Sequence, residues 1–366
     1  MRNARILALT AVFGALLTWG APPAAAQSDI LLQLRSGNPP GDRFRVDSAG
    51  GVVAIGQLGI GIIPSSGQGW RMMWHPYRAA FRAGGINPGG TEWDDGNMGF
   101  YSWAGGADTR ASQYATFAFG DGSTATANYA VAFGDHVDVS GQYGFGAGYQ
   151  SQCTGTACVS LGYITNADGQ GAVALGYRST ADASYSVAIG QRASTNGHSG
   201  AIVFADGSTT DSLEASANNQ FSVRAAGGYR FYTNATTTVG AQINAGGSSW
   251  SVISDRNRKE AFLDVDGEDL LMRLRRVPVT TWRLRTEEDR TVRHIGPMAQ
   301  DWHAAFGFSS DDTMINMSDL DGVNLAAVKA LEARSTEQAE RIRTLEAELA
   351  ELREMVRAMA APKAQP

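Results

Sequence analysis

The sequence predicts a mainly β protein: a parallel β-roll built from 14-residue repeats, then a small α+β domain, then a C-terminal coiled coil. Three observations predict it. A four-residue phrase ending in glycine recurs at constant spacing through the middle of the chain. Glycine reaches 44 of 366 residues without collagen spacing, which marks many turns. Near residue 250 glycine thins and charge rises, and a heptad pattern occupies the last long segment.

Taken in order, residues 1–26 read as a signal peptide. Arg2 and Arg5 precede an apolar stretch from Ile6 to Trp19, and Ala24-Ala25-Ala26 stands before Gln27. The stretch is short for a membrane span, which leaves an uncleaved anchor as the alternative. The expected location is therefore outside the cell or on its surface, with no membrane span in the mature chain. Charged residues make up only 18%, and the net charge of −6 argues against a general nucleic-acid binder.

Residues 27–102 read as an N-terminal β region, with Val52-Val53-Ala54-Ile55-Gly56 as one strand. Trp70, Trp74 and Trp93 are read as core or subunit contact, with a sugar site as the alternative. Gly56, Gly59 and Gly61 imitate a nucleotide loop, but no helix pattern follows, so plain turns are expected.

Residues 103–205 carry the repeat. Phe117-Ala118-Phe119-Gly120 returns as Val131-Ala132-Phe133-Gly134, and the glycine recurs at 148, 162, 176 and 190. Strand side chains alternate, so the first and third residues of each phrase share a face. That face is expected to line the roll interior, with the small middle residue pointing outward. Gly supplies the turn, and no repeat buries its apolar face without its neighbours. Cys153 and Cys158 fall inside one repeat and are disulfide candidates in an exported protein, within one chain or between chains. No partner set stands at metal-ligand spacing, and no cofactor is expected. Residues 206–249 read as a β-rich neck.

Residues 250–366 form the last domain. Gly267–Val277 and Met298–Phe306 read as helices, and Val277–Leu284 as a strand. The coiled coil covers about 324–359, through Val328, Leu331, Ile342, Leu345, Leu349, Leu352, Val356 and Met359. Ser335 and Gln338 interrupt the seam, whose layering by itself leans toward a dimer.

The repeat resembles the head repeats of trimeric autotransporter adhesins, which implies a left-handed parallel roll in a homotrimer. Such adhesins end in a membrane β-barrel, whereas this sequence ends Ala360-Ala361-Pro362-Lys363-Ala364-Gln365-Pro366; the resemblance covers the head. A second resemblance rests on Ser254-Asp255-Arg256-Asn257-Arg258-Lys259 followed by His294-Ile295-Gly296-Pro297-Met298-Ala299-Gln300. Together these phrases resemble the intramolecular chaperone domain of phage endosialidases and tailspikes. That resemblance implies a domain that trimerises the chain and then releases itself at Ile253–Ser254. Ser254 would be the nucleophile and Lys259 its base, with Asp255 and His294 in support.

Residue chemistry points the same way. A serine hydroxyl needs an adjacent base, and lysine serves where arginine cannot, because arginine does not deprotonate. Of 30 cations only three are lysine, and Lys259 is the first in the chain. Asp255 reads as a turn cap, and His294 equally as a structural hydrogen-bonding residue. The expected protein is an exported trimeric fibre or adhesin, self-associating, with a surface or glycan ligand. The competing readings are a secreted serine hydrolase acting on external peptides, and an uncleaved fibre with a decayed dyad.

Overall fold

The computed structural model describes residues 30–36, 41–308 and 310–360. The signal-peptide segment and the residues from 361 onward lie outside the described residues. The chain divides into two compact units, 1–253 and 254–366.

The first unit opens with a three-stranded antiparallel sheet, Ile30–Ser36, Gly41–Asp47 and Val52–Ala54. A hairpin of Gly69–His75 and Ala80–Ile86 follows, and its second strand pairs in parallel with Trp103–Ala107. From there the chain is a β-solenoid. Each coil gives a strand of about five residues to an eleven-stranded sheet and a two-residue strand to an eight-stranded sheet. Val131 stands opposite Phe117 on one side and Phe145 on the other, so neighbours in register are fourteen positions apart. The larger sheet extends past residues 103–205 at both ends, from the Gly69 hairpin to Phe221–Arg224. The expected neck therefore begins as roll and becomes a separate antiparallel sheet only at Gly228–Tyr232, Gly240–Asn244 and Ser251–Val252.

The interior is the reverse of the expected one. The small middle residues line it: Ala104, Ala118, Ala132, Ser160, Ala174 and Ala188 are fully buried. The large first and third residues face outward, and Phe133 is 49% exposed in the single chain. Alternation along a strand fixes which residues share a face but not which face is inside. The coil settles that, because a five-residue strand and a two-residue strand joined by tight turns enclose room only for small groups. Packing across the interior is reciprocal. Gly146 occupies a middle position where an added Cβ would come within 2.7 Å of Val139 Cγ2, so the larger inward residue of the facing strand fills the space. Cys153 and Cys158, both fully buried, are joined there as a disulfide with Cα atoms 5.6 Å apart.

The aligned glycines are obligatory. Gly134 has φ 135°, and a Cβ on it would lie 2.0 Å from the carbonyl oxygen of Gly148 in the next coil. Buried hydroxyls complete the corners: Ser123 donates to Gly134 O (2.8 Å) and Ser179 to Gly190 O (3.0 Å).

The N-terminal end of the interior holds two groups that the repeat pattern does not contain. Arg82 is fully buried and donates to Phe81 O, Ser102 O, Ser102 Oγ and Ala111 O at 2.8–3.1 Å. Burial lowers its pKa to about 9, which leaves it charged at neutral pH. Trp93 is also fully buried, and its indole donates to Thr109 O (2.8 Å). The three tryptophans are thus not one cluster by burial, since Trp70 is 77% exposed. Gly59 and Gly61 take positive φ in a turn-rich segment, as the plain-turn reading expects.

The second unit has helices Gly267–Leu274, Ala299–Phe306 and Met317–Ala360 and a strand pair, Thr280–Trp282 with His294–Gly296. Asp266 caps the first helix by accepting from Glu268 N and Asp269 N. Leu270, Val277, Trp302, Phe306, Val323 and Ala327 form its core. The long helix starts earlier than its heptads because Val323 anchors it to that core. The heptad residues from Val328 to Met359 are all exposed in the single chain. Among the described residues no helix is long and apolar enough to cross a membrane.

Candidate functional site

Ser254 is the first residue of the second unit. The next residues make one 3-10 turn, Arg256–Arg258. Asp255 caps it, accepting from Asn257 N (2.9 Å) and from Arg258 Nε (3.1 Å). The Asn257 amide first, and then Arg258, hold the Asp255 carboxyl below the usual carboxylate range. The turn closes with Lys259 N bonded to Arg256 O. This folds the lysine back toward the start of the segment, and Lys259 Nζ lies 2.7 Å from Ser254 Oγ. Spacing of five residues alone does not bring two side chains together; the capped turn does.

Ser254 and Lys259 are exposed in the single chain. The following residues are unusually apolar for a solvated surface: Phe262, Leu263 and Val265 are exposed, Leu263 to 90%. Arg256 rests over the Phe262 ring at 4.9 Å.

His294 has a different setting from the pair. Its Nε2 lies 2.5 Å from Glu287 Oε1, and its ring packs against Trp282 with centroids 4.7 Å apart. Glu287 also accepts from Leu284 N (2.9 Å). The hydrogen bond from His294 is the main cause that holds the Glu287 carboxyl below its ordinary range. His294 thus pins the loop that joins its strand to Thr280–Trp282. Glu287 was not singled out from the sequence, and no spacing rule would have found it. Among the described residues no group of His, Cys, Asp or Glu could hold a metal ion.

The chain thus combines a β-solenoid with a small domain that opens on a Ser–Lys pair. The particulars come from family comparison. Residues 254–308 match the family described as chaperone of endosialidase, and the match begins at Ser254. Residues 111–136 and 167–193 each match the YadA head domain repeat. The chaperone family is a self-cleaving peptidase domain, and the two matches together fit a trimeric adhesin or fibre carrying a chaperone domain. Comparison with curated proteins and with solved structures gave no match.

Proposed function

We propose that the chain is an exported, adhesin-like homotrimeric fibre with a left-handed roll. Its domain from residue 250 onward drives trimer assembly and then cuts Ile253–Ser254, in a single turnover, by a Ser254–Lys259 dyad. The observation that carries this reading is the 2.7 Å Nζ–Oγ approach at the first residue of the matched domain, on the bond that joins the two compact units.

In the reaction, neutral Lys259 takes the hydroxyl proton as Ser254 Oγ bonds to the Ile253 carbonyl carbon. The carbon–nitrogen bond to Ser254 then breaks, and the nitrogen takes up the proton. Ile253 is left as an ester on Ser254 Oγ. Water hydrolyses that ester, freeing the Ile253 carboxylate and restoring the hydroxyl of what is now an N-terminal serine.

The order of events has a physical cause. Lysine acts as a base only where desolvation favours its neutral form. In one chain the pair is exposed, and so are Phe262, Leu263 and Val265, three to six residues further along the chain from Lys259. Neighbouring subunits packed on those side chains would desolvate the lysine, so cutting follows assembly. Two apolar surfaces support the trimer. One is the outer face of the larger sheet, where Val159, Leu161, Val173 and Leu175 stand with the stacked Phe119 and Phe133, centroids 5.4 Å apart. The other is the heptad face of the long helix, read as a coiled coil.

Mass determination of the secreted protein tests the reading. Wild type should give fragments of about residues 27–253 and 254–366, and Ser254→Ala one uncut chain. Cutting of Ser254→Ala at the same bond would assign the reaction to another protease.

A further inference from the structure

The roll has a polar side as well as an apolar one, and the polar side carries a groove. Two columns of side chains that repeat with the coil form its walls. One column sits in the turn that leads into the smaller sheet: His136, Gln150, Ile164 and Arg178, all left-handed with φ between 48° and 54°. The other is the first residue of successive two-residue strands, Gln152, Asn166 and Thr180. The groove encloses about 660 Å³, a ligand-sized volume. From His136 to Arg178 it spans three coil steps, roughly 14 Å at the usual strand spacing.

We infer that this groove is a binding site for a carboxylate-bearing oligosaccharide. Its walls offer amides and hydroxyls, which donate and accept alike, as a ligand covered in hydroxyl groups demands. Ile164 is the one apolar side chain lining it, and no carboxylate lines it. Arg178 supplies the charge. Its guanidinium lies over the Tyr177 ring at 5.6 Å, and among the described residues it has no carboxylate partner. A stacked guanidinium left unpaired can take a ligand carboxylate in two parallel hydrogen bonds. His136 does not share that role, because Asp135 already holds it.

Other ligands fit less well. Along the groove each strand is already paired on both sides, so an extended peptide finds no free edge to join. A nucleic acid would meet one free guanidinium on a chain of net charge −6. The groove lies on the smaller sheet and the turn entering it, while the proposed subunit contact uses the outer face of the larger sheet. Its accessibility in the fibre rests on that reading.

The test uses the full-length protein on an array of uronic-acid and sialic-acid oligosaccharides with neutral oligosaccharides beside them. Titration calorimetry then measures the best-retained probe. Acidic probes should be retained at least tenfold over neutral ones. Arg178→Gln should weaken binding about tenfold and Gln152→Ala about threefold, each with unchanged thermal melting. Equal retention of acidic and neutral probes, no retention of either, or an unchanged affinity in Arg178→Gln would overturn the site. Light scattering on the same samples keeps the two proposals apart: a non-trimeric protein that binds as expected would overturn the trimer and leave the site standing.

Discussion

The roll and the C-terminal unit solve the same problem in opposite ways. Through its regular coils the roll closes its core inside one chain with alanines, serines, a few valines and a disulfide, and turns the large residues of each repeated phrase outward. The C-terminal unit buries a few large side chains and leaves a helix of 44 residues with its heptad residues bare. A solenoid coil needs only its neighbours in sequence. An apolar stripe along a helix is buried only against another surface, and the proposed reading supplies that surface from further copies of the chain. The difference places the requirement for assembly most heavily in the region that also holds the Ser254–Lys259 pair.

The sharpest way to break that comparison is at the pair. Lys259→Arg keeps the charge and removes the capacity to act as a base, so it should abolish cleavage while light scattering still reports a trimer. Cutting at the wild-type rate in this variant would sink the dyad. The next largest effect separates the two faces of one strand. Ala132→Leu should cost about 3 kcal/mol in chemical denaturation, because the interior has no space for the added carbons. Its neighbour Phe133→Ala should leave the stability of a coil nearly untouched and weaken assembly instead. Equal destabilisation by both would mean the interior has been misjudged.

Breaking the Cys153–Cys158 bridge should cost less, about 2 kcal/mol, since the loop it closes is short. Thiol titration of the oxidised, denatured protein should find none free. The smallest expected effect is a pH step at the end of the roll. The Ala226 amide first, then Ser208 and Arg224, pull the Asp206 carboxyl down to about 2. A depressed folded value stabilises above the unfolded carboxylate range, near 4, and the gain disappears as pH falls toward 2. Hydrogen-exchange protection factors around residues 206–226, corrected for the intrinsic pH dependence of exchange, should therefore fall between pH 4 and pH 2, and Asp206→Asn should show no such step.

Much of this was legible in the sequence, and the failures have specific causes. The glycine register at 120, 134 and 148 announced the stacking, because only glycine fits where coil meets coil at positive φ. The direction of the interior was not legible. A phrase such as Val131-Ala132-Phe133 has the same alternation whichever face is inside, and large apolar residues suggest a core until coil width is considered. The long helix began at Met317 rather than Asn324 because its first turns answer to Val323 and Trp302 and not to the heptad. Asp255 was readable as a cap from its place before a short turn. The partner of His294 was not, since Glu287 reaches it only once the strands Thr280–Trp282 and His294–Gly296 have paired. The burial of Arg82 left no mark in sequence because three of its four partners are backbone carbonyls and the fourth is the hydroxyl of Ser102, twenty residues away.

From Trp103–Ala107 to Val187–Gln191 each coil seats on the next at the same fourteen-residue step, so nothing in that stretch of the roll counts coils. Residues 159–172 make one complete coil, and Cys158 joined directly to Val173 would give every remaining strand a neighbour of the same kind as before. Excision should shorten the roll by roughly 4.8 Å, one strand spacing, and leave both ends unaltered. Reach is thus a quantity that gain or loss of fourteen-residue units can adjust in equal steps, like links in a watch strap, independently of what caps the roll or assembles it.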